Sequence, residues 1–127
     1  MVVMSTPPPL RAAIIPVTPL QQNCCLIWCT STMRGAFTDP GGDLERLKAA
    51  AKQHGVTIEK ILVTHGHLDH CGQTGVLARE LGVTIEGPHE ADRFWISRLD
   101  EDGQRWGMHD EVERIEVLRG PQGTLYG

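Results

Sequence analysis

The segment Ile61-Leu62-Val63-Thr64-His65-Gly66-His67-Leu68-Asp69-His70 decides how this chain is interpreted. Its first residues end an apolar run that begins at Ile58 and is rich in β-branched side chains, which predicts a buried strand. Residues 71–81 have helical spacing and precede Gly82, a residue type common at helix C-termini. The three histidines and the aspartate therefore lie on a loop between a strand and a helix. Open α/β folds bind ligands at such loops, at the carboxyl ends of their strands.

Outward from this segment, strands and helices alternate along the chain. The predicted strands cover residues 10–17, 24–29, 35–38, 58–63 and 83–86, and the predicted helices cover residues 44–54, 71–81 and 88–96. Asp43 is the expected N-cap of the first helix, and Gly55 is its expected C-terminal glycine. Strand 24–29 is apolar at every position, which predicts burial on both faces. The order β-β-β-α-β-α-β-α indicates an α/β fold in which helices cover a sheet.

Length and composition limit the possible classes of protein. A chain of 127 residues is one domain at most, and its 40% hydrophobic and 22% charged residues are ordinary for a globular domain. The net charge of −4 gives no electrostatic reason to expect nucleic acid or an anionic membrane as a partner. No run approaches the roughly 20 apolar residues of a membrane-spanning helix, and residues 1–9 lack signal-peptide features. We therefore expect a cytoplasmic protein with reduced thiols.

The histidines and the aspartate of the central segment are residue types that bind zinc and similar divalent ions. His65 and His67 are two residues apart in an extended loop, so both can hold one ion. Asp69 and His70 are adjacent and diverge, so they can address a second ion. Two neighbouring ions can activate water and polarise a carbonyl or phosphoryl oxygen, which is hydrolytic chemistry. Two other interpretations stay open: one structural or adventitious ion held by four ligands, or loop residues that bind no metal.

The central segment also resembles the signature of the metallo-β-lactamase superfamily. Further stretches resemble the glyoxalase II-like branch of that superfamily, so that the resemblance covers about residues 10–108. Those stretches are residues 14–18, 22–24, 27–29, 39–42 and 87–88. The resemblance implies the N-terminal half of an αβ/βα sandwich, an α/β fold whose sheet is flanked by helices.

The resemblance further implies ligands and a reaction. His65 and His67 would bind the first ion, whereas Asp69 and His70 would bind the second. Asp69 would also orient the bridging hydroxide and is the expected catalytic residue, while Asp39 would lie beside the metals without binding them. The implied reaction is hydrolysis of a small-molecule thioester, such as S-lactoylglutathione, or of an ester by metal-activated hydroxide. One or two zinc ions are expected, with iron or manganese as alternatives.

The other ligands of that family come from a second half that this chain is expected to lack. We therefore expect a hydrolase whose site is completed by oligomerisation, because a second copy of a similar half could supply ligands. The alternative is a metal-binding fragment without catalytic activity.

The end of the chain has a different resemblance. Residues 112–127 are similar to a segment of the plug domain of TonB-dependent outer-membrane receptors. This predicts a chimeric chain with an extended lead-in at residues 1–9, a half-domain at residues 10–108 and an unrelated tail at residues 109–127. We expect no receptor function from the tail, because a motif acts only in its structural context.

The remaining cysteines and histidines are assigned mainly structural roles. Cys24, Cys25 and Cys29 lie in an apolar strand without Cys-x-x-Cys spacing, which favours packing. Cys71 directly follows the central segment and stays open as an additional metal ligand. His54 lies at a predicted helix C-terminus, where it would interact favourably with the helix dipole.

Overall fold

The computed structural model describes residues 8–98 and residue 101, with the backbone alone for residues 68, 69, 95 and 96. Its strands are β1 (Leu10–Val17), β2 (Gln22–Cys29), β3 (Arg34–Thr38), β4 (Thr57–Leu62) and β5 (Thr84–Glu86). Its helices are α1 (Leu44–His54), α2 (Leu68–Cys71), α3 (Thr74–Leu81) and α4 (Arg93–Ser97), and a 3₁₀ turn covers Glu90–Asp92. None of the helices in this part of the chain has the length and hydropathy to cross a membrane. The predicted tail at residues 109–127 lies outside the described residues.

The five strands form one mixed sheet in the order β1-β2-β3-β4-β5. The pairs β1–β2 and β2–β3 are antiparallel, whereas β3–β4 and β4–β5 are parallel. Parallel neighbours need a crossover connection, which α1 provides between β3 and β4, and α2 with α3 between β4 and β5. The carboxyl ends of β3, β4 and β5 therefore meet at one edge of the sheet. The residues that follow these three strands form the candidate site.

One face of the sheet packs against the helices and forms the core. The strand register places Leu26 opposite Phe37 and Phe37 opposite Ile61, and none of the three side chains has exposed surface. Leu47 from α1 and Leu77 from α3 are equally buried in the same cluster. Burial of each such side chain stabilises a fold by about 1.5–3 kcal/mol, so this cluster holds α1 and α3 against the sheet.

The opposite face of the sheet is only partly covered. Leu10 and Ile14 on β1 are 62% and 65% exposed, and Cys25 and Ile27 on β2 are half-buried. The predicted burial of strand 24–29 on both faces is therefore wrong, because burial alternates along β2. Such alternation is typical of an antiparallel strand with one covered face. The sequence does not predict this alternation, because residues 24–29 are apolar at the buried and at the half-buried positions alike.

Helix α1 begins and ends where the sequence predicts. Gly55 follows it in the left-handed conformation, φ 69°, and its N–H closes the last turn. Asp43 precedes the helix, but its side chain makes no capping hydrogen bond. Its Oδ2 instead accepts the N–H of Thr18 at 2.9 Å. Asp43 therefore ties the start of α1 to the turn after β1.

The later helices are shorter than predicted. The helix expected at residues 71–81 begins only at Thr74, as α3, because residues 72 and 73 form a turn. A separate short helix, α2, covers Leu68–Cys71, so the backbone of residues 69 and 70, which was expected to be a loop, is helical. The helix expected from Pro88 begins instead as the 3₁₀ turn Glu90–Asp92, and α4 follows. Both differences place additional turns beside the central segment.

Candidate metal centre

The carboxyl ends of β3 and β4 bring Asp39, His65 and His70 together. Asp39 directly follows β3, His65 lies on the loop after β4, and His70 lies on α2. One potential ligand atom from each residue lies within 4.8 Å of the other two. Asp39 is 6% exposed and the two histidines are half-buried. Two imidazoles and a carboxylate at this spacing suit a divalent ion such as zinc, so the donor set fits the predicted metal.

The backbone of Asp39 adopts an unusual conformation that three hydrogen bonds stabilise. Its φ is 53°, in the left-handed region where aspartate and asparagine are enriched. Its N–H donates to the carbonyl of Leu62 at 2.9 Å, and its carbonyl accepts the N–H of Gly41 at 2.9 Å. The amide Nε2 of buried Gln22 donates to the same carbonyl at 2.6 Å. These contacts with β2 and β4 set the direction in which the Asp39 side chain leaves the backbone.

The Asp39 carboxylate links the loop after β4 to α2. Its Oδ1 accepts the N–H of Thr64 at 2.7 Å, and its Oδ2 accepts the Thr64 hydroxyl at 2.6 Å. The same Oδ2 lies 3.1 Å from Nδ1 of His70. A carboxylate at one ring nitrogen orients a histidine so that its other nitrogen, here Nε2, can bind a metal. This contact places Asp39 beside His70, a predicted metal ligand, and the spacing also makes Asp39 a candidate ligand.

The rings of the three predicted histidine ligands lie in one cluster. The His65 ring centroid is 4.0 Å from that of His70 and 4.8 Å from that of His67. The Thr64 hydroxyl lies 2.9 Å from Nδ1 of His65. His67 is exposed and lies beside the three-residue group without belonging to it. The side chain of Asp69 is outside the described part of the chain, so the predicted division of four ligands between two ions stays a prediction.

The cysteines do not belong to this group. Cys24 and Cys71 have no exposed surface and lie in the core cluster, so packing is their observed role. Desolvation by burial raises the pKa of the Cys24 thiol far above its usual value. Cys29 differs, because a hydrogen bond from Thr32 lowers its pKa to about 7. Cys29 lies at the end of β2 away from Asp39, so this shift does not concern the metal centre.

Three residues that hold the site were not assigned a role from the sequence: Gln22, Thr64 and Asp92. Gln22 and Thr64 contact Asp39, and the Oδ2 of Asp92 accepts the N–H of Gly66 at 3.1 Å. Each contact joins residues that are 17 to 26 positions apart. The available signal for Gln22 and Thr64 was their position beside predicted strand ends. No sequence pattern near Asp92 predicts its contact with Gly66, because that contact depends on the position of β5 in the sheet.

Known proteins resemble this chain in sequence. A family model described as the metallo-beta-lactamase superfamily matches residues 17–125. The hydroxyacylglutathione hydrolase GloC of Haemophilus influenzae is 44% identical over 99 residues, which are 78% of this chain and 46% of that protein. The chain therefore spans less than half the length of this relative. The family match crosses the predicted boundary after residue 108, and that boundary remains a prediction.

Two solved structures have a similar fold. TTHA1623 in a di-iron-bound form has a TM-score of 0.73 and 25% identity, over 88% of this chain and 55% of that chain. The BLEG-1 B3 metallo-beta-lactamase has a TM-score of 0.70 and 24% identity, over 87% of this chain and 54% of that chain. The predicted α/β fold with a sheet flanked by helices is thereby confirmed. Since the family match extends over most of its length, the chain belongs to the metallo-β-lactamase superfamily.

Proposed function

We propose that this chain is a metal-dependent hydrolase of the glyoxalase II-like type that acts on a small-molecule thioester or ester. The observation that carries the proposal is the group of Asp39, His65 and His70, whose potential ligand atoms lie within 4.8 Å of one another at the strand ends. The similarity to a hydroxyacylglutathione hydrolase supports a thioester such as S-lactoylglutathione as the first substrate to test.

Asp39, His65 and His70 would hold the ion, with His67 and Asp69 as the further proposed ligands. A divalent ion bound there supplies Lewis acidity toward a carbonyl oxygen and lowers the pKa of water toward 7. The residues of the chain set the geometry, because Asp39 faces Nδ1 of His70 and also anchors the loop that carries His65. Asp69 is proposed to orient the attacking water. Zinc is the proposed ion, and the di-iron form of a similar structure supports iron as the alternative.

The zinc-loaded chain should hydrolyse S-lactoylglutathione, and His67→Ala should reduce kcat/KM about 100-fold or more. Loss of a ligand should exceed the 10–100-fold effect of losing a residue that only orients a ligand. The rate is measured from the loss of thioester absorbance. His54→Ala is the matched control, because the His54 ring packs against Trp28 at 5.0 Å, away from the metal centre.

The outcomes of this experiment distinguish an enzyme from a metal-binding fragment without catalytic activity. Equal kcat/KM values for the unmodified chain and His67→Ala would contradict the proposed enzyme. Tight zinc binding without turnover of thioesters or esters would instead support a metal-binding fragment without catalytic activity.

We further propose that a second copy of the chain completes the site. Two zinc ions with four ligands each would need more donors than the proposed ligands of one chain supply together, which leaves ligand positions for a second copy. The partly covered sheet face carries Leu10 and Ile14 at 62% and 65% exposure, and apolar surface of this kind is typical of interfaces.

Sedimentation velocity tests the proposed assembly. The zinc-loaded chain should sediment with twice its mass of 14.0 kDa, and Ile14→Lys should shift it toward the monomer because burying the new charge is unfavourable. Arg11→Lys, on the same strand, preserves the charge and serves as the control. A monomer with complete zinc content and full activity would rule out completion by a second copy.

A further inference from the structure

We propose that Asp92 is a positioning residue that holds the loop between His65 and His67 in its metal-binding conformation. The Oδ2 atom of Asp92 accepts the N–H of Gly66, the residue between the two histidines, at 3.1 Å. Gly66 is buried and Asp92 is half-buried, so the contact is partly shielded from solvent. The inference rests on the proposed metal site, because it assigns Asp92 a role toward that site.

The loop after β4 is anchored on both sides of His65. On one side, the N–H of Thr64 donates to Asp39 Oδ1 at 2.7 Å. On the other side, the N–H of Gly66 donates to Asp92. Fixing the amides before and after one residue restricts its backbone, and therefore the direction of its side chain. The two carboxylates together set where the His65 ring points.

The sheet topology explains why two carboxylates reach this loop. Strand β4 lies between β3 and β5 and is parallel to both. Asp39 follows β3, whereas Asp92 follows β5 by way of the 3₁₀ turn Glu90–Asp92. The loop after β4 is thus held from both neighbouring strands. The N–H of Val63 donates to the carbonyl of Glu86 at 3.0 Å, so β5 is also tied to the start of this loop.

The 3₁₀ turn is ordered by its own hydrogen bonds, which lets Asp92 act as a fixed acceptor. The N–H of Asp92 donates to the His89 carbonyl at 2.9 Å, and the N–H of Ala91 donates to Nδ1 of His89 at 3.0 Å. The exposed ion pair between Glu90 and Arg93, with contacts of 2.8 and 3.1 Å, contributes little to this order. Hydrogen bonds from a backbone N–H to a carboxylate are among the stronger ones in proteins.

A preformed loop raises the affinity for a metal, because ordering a flexible segment during binding costs conformational entropy. Asp92→Ala should therefore weaken Zn²⁺ binding about tenfold or more, the effect expected when a residue that orients a ligand is removed. Asp92→Asn should retain most of the affinity, because its amide oxygen can still accept the Gly66 N–H. Asp92→Glu keeps the charge but moves the carboxylate, so it should lose affinity as the alanine variant does.

The experiment is a titration of the full chain and these variants with Zn²⁺ against a competing chromophoric chelator. Glu90→Ala is the matched control, since it removes a carboxylate from the same turn but one that pairs with Arg93. Hydrogen exchange of the Gly66 amide in the metal-free chain is the second measurement. We expect faster exchange in Asp92→Ala and native exchange in Asp92→Asn and Glu90→Ala.

The outcomes distinguish this inference from the proposed function. Native zinc affinity and native Gly66 exchange in Asp92→Ala would overturn the role of Asp92 and leave the metal site intact. Absence of zinc binding by the unmodified chain would overturn the proposed function, while Gly66 exchange would still test the contact. If Asp92→Ala does not fold, the zinc affinities of Asp92→Asn and Asp92→Glu test the positioning role instead. Retained affinity in Asp92→Glu with lost affinity in Asp92→Asn would mean that charge acts, and would overturn the positioning role.

Discussion

Replacing Asp39 with asparagine should lower the zinc affinity of the chain about 100-fold, at the upper end of the effect of losing a ligand or the group that orients it. Asparagine tolerates the left-handed conformation that Asp39 adopts at φ 53°, so the backbone is retained. The amide oxygen can still accept the N–H of Thr64. The amide nitrogen, however, replaces the oxygen that accepts the Thr64 hydroxyl and faces Nδ1 of His70. The substitution therefore removes the negative charge and the orientation of His70 together.

Asp43→Asn is the matched control for this prediction. Asp43 also has φ 53°, and its carboxylate accepts one backbone N–H, that of Thr18. The same chemical change is thus made four positions along the chain in the same backbone conformation. Zinc affinity is measured by competition with a chelator, and circular dichroism verifies folding. Equal affinities for Asp39→Asn and the unmodified chain would mean that Asp39 neither binds nor orients a metal ligand.

Gly35→Ala should destabilise the fold by about 3 kcal/mol, the upper range for overpacking a core. A Cβ atom at Gly35 would meet the carbonyl oxygen of Ile27 and would lie 2.8 Å from Cβ of Trp28 and from Cγ1 of Val56. Trp28 is directly opposite Gly35 in the β2–β3 register and is 5% exposed. The missing side chain provides the space that the buried tryptophan occupies. The Ile27 oxygen cannot move away without disturbing the pairing of β2 with β3.

Gly82→Ala provides the comparison for this destabilisation. Gly82 has φ 67°, and apart from its own chain neighbours no heavy atom of the described residues lies within 4 Å of a Cβ built there. Its substitution should cost about 1 kcal/mol, from the left-handed conformation alone. Urea denaturation measures both free energies of unfolding. Similar destabilisation by the two variants would show that close packing is not the reason why position 35 requires glycine.

Local patterns account for the parts of the fold that the sequence predicted correctly. The apolar run before Thr64 identified β4, and the helical spacing of residues between Asp43 and Gly55 identified α1. The histidine pattern identified the segment that carries His65 and His70, because its information lies within a few consecutive residues, although His70 lies on α2 and not on the predicted loop. The same is true of Asp39, whose place after a predicted strand was correct although its direct proximity to His65 was not anticipated.

The remaining features depend on long-range arrangement. Asp92 reaches Gly66 because β5 lies next to β4, and strand order cannot be deduced from spacing along the chain. Burial on one face of β2 depends on which face the helices cover, and the apolar side chains on both faces of β2 conceal this. The division between α2 and α3 was missed because Gly72 and Gln73 do not interrupt the helical spacing strongly.

The central claim is that the loop after β4 and the aspartate after β3 form one metal centre. Its most direct test is a crystal structure of the zinc-loaded chain with anomalous differences measured at the zinc absorption edge. We expect a zinc peak bonded to nitrogen atoms of His65 and His70 at about 2.0–2.1 Å, with the Asp39 carboxylate bound to the ion or to Nδ1 of His70. A zinc peak that contacts neither histidine, or a fully loaded crystal without a peak at the strand ends, would contradict the assignment.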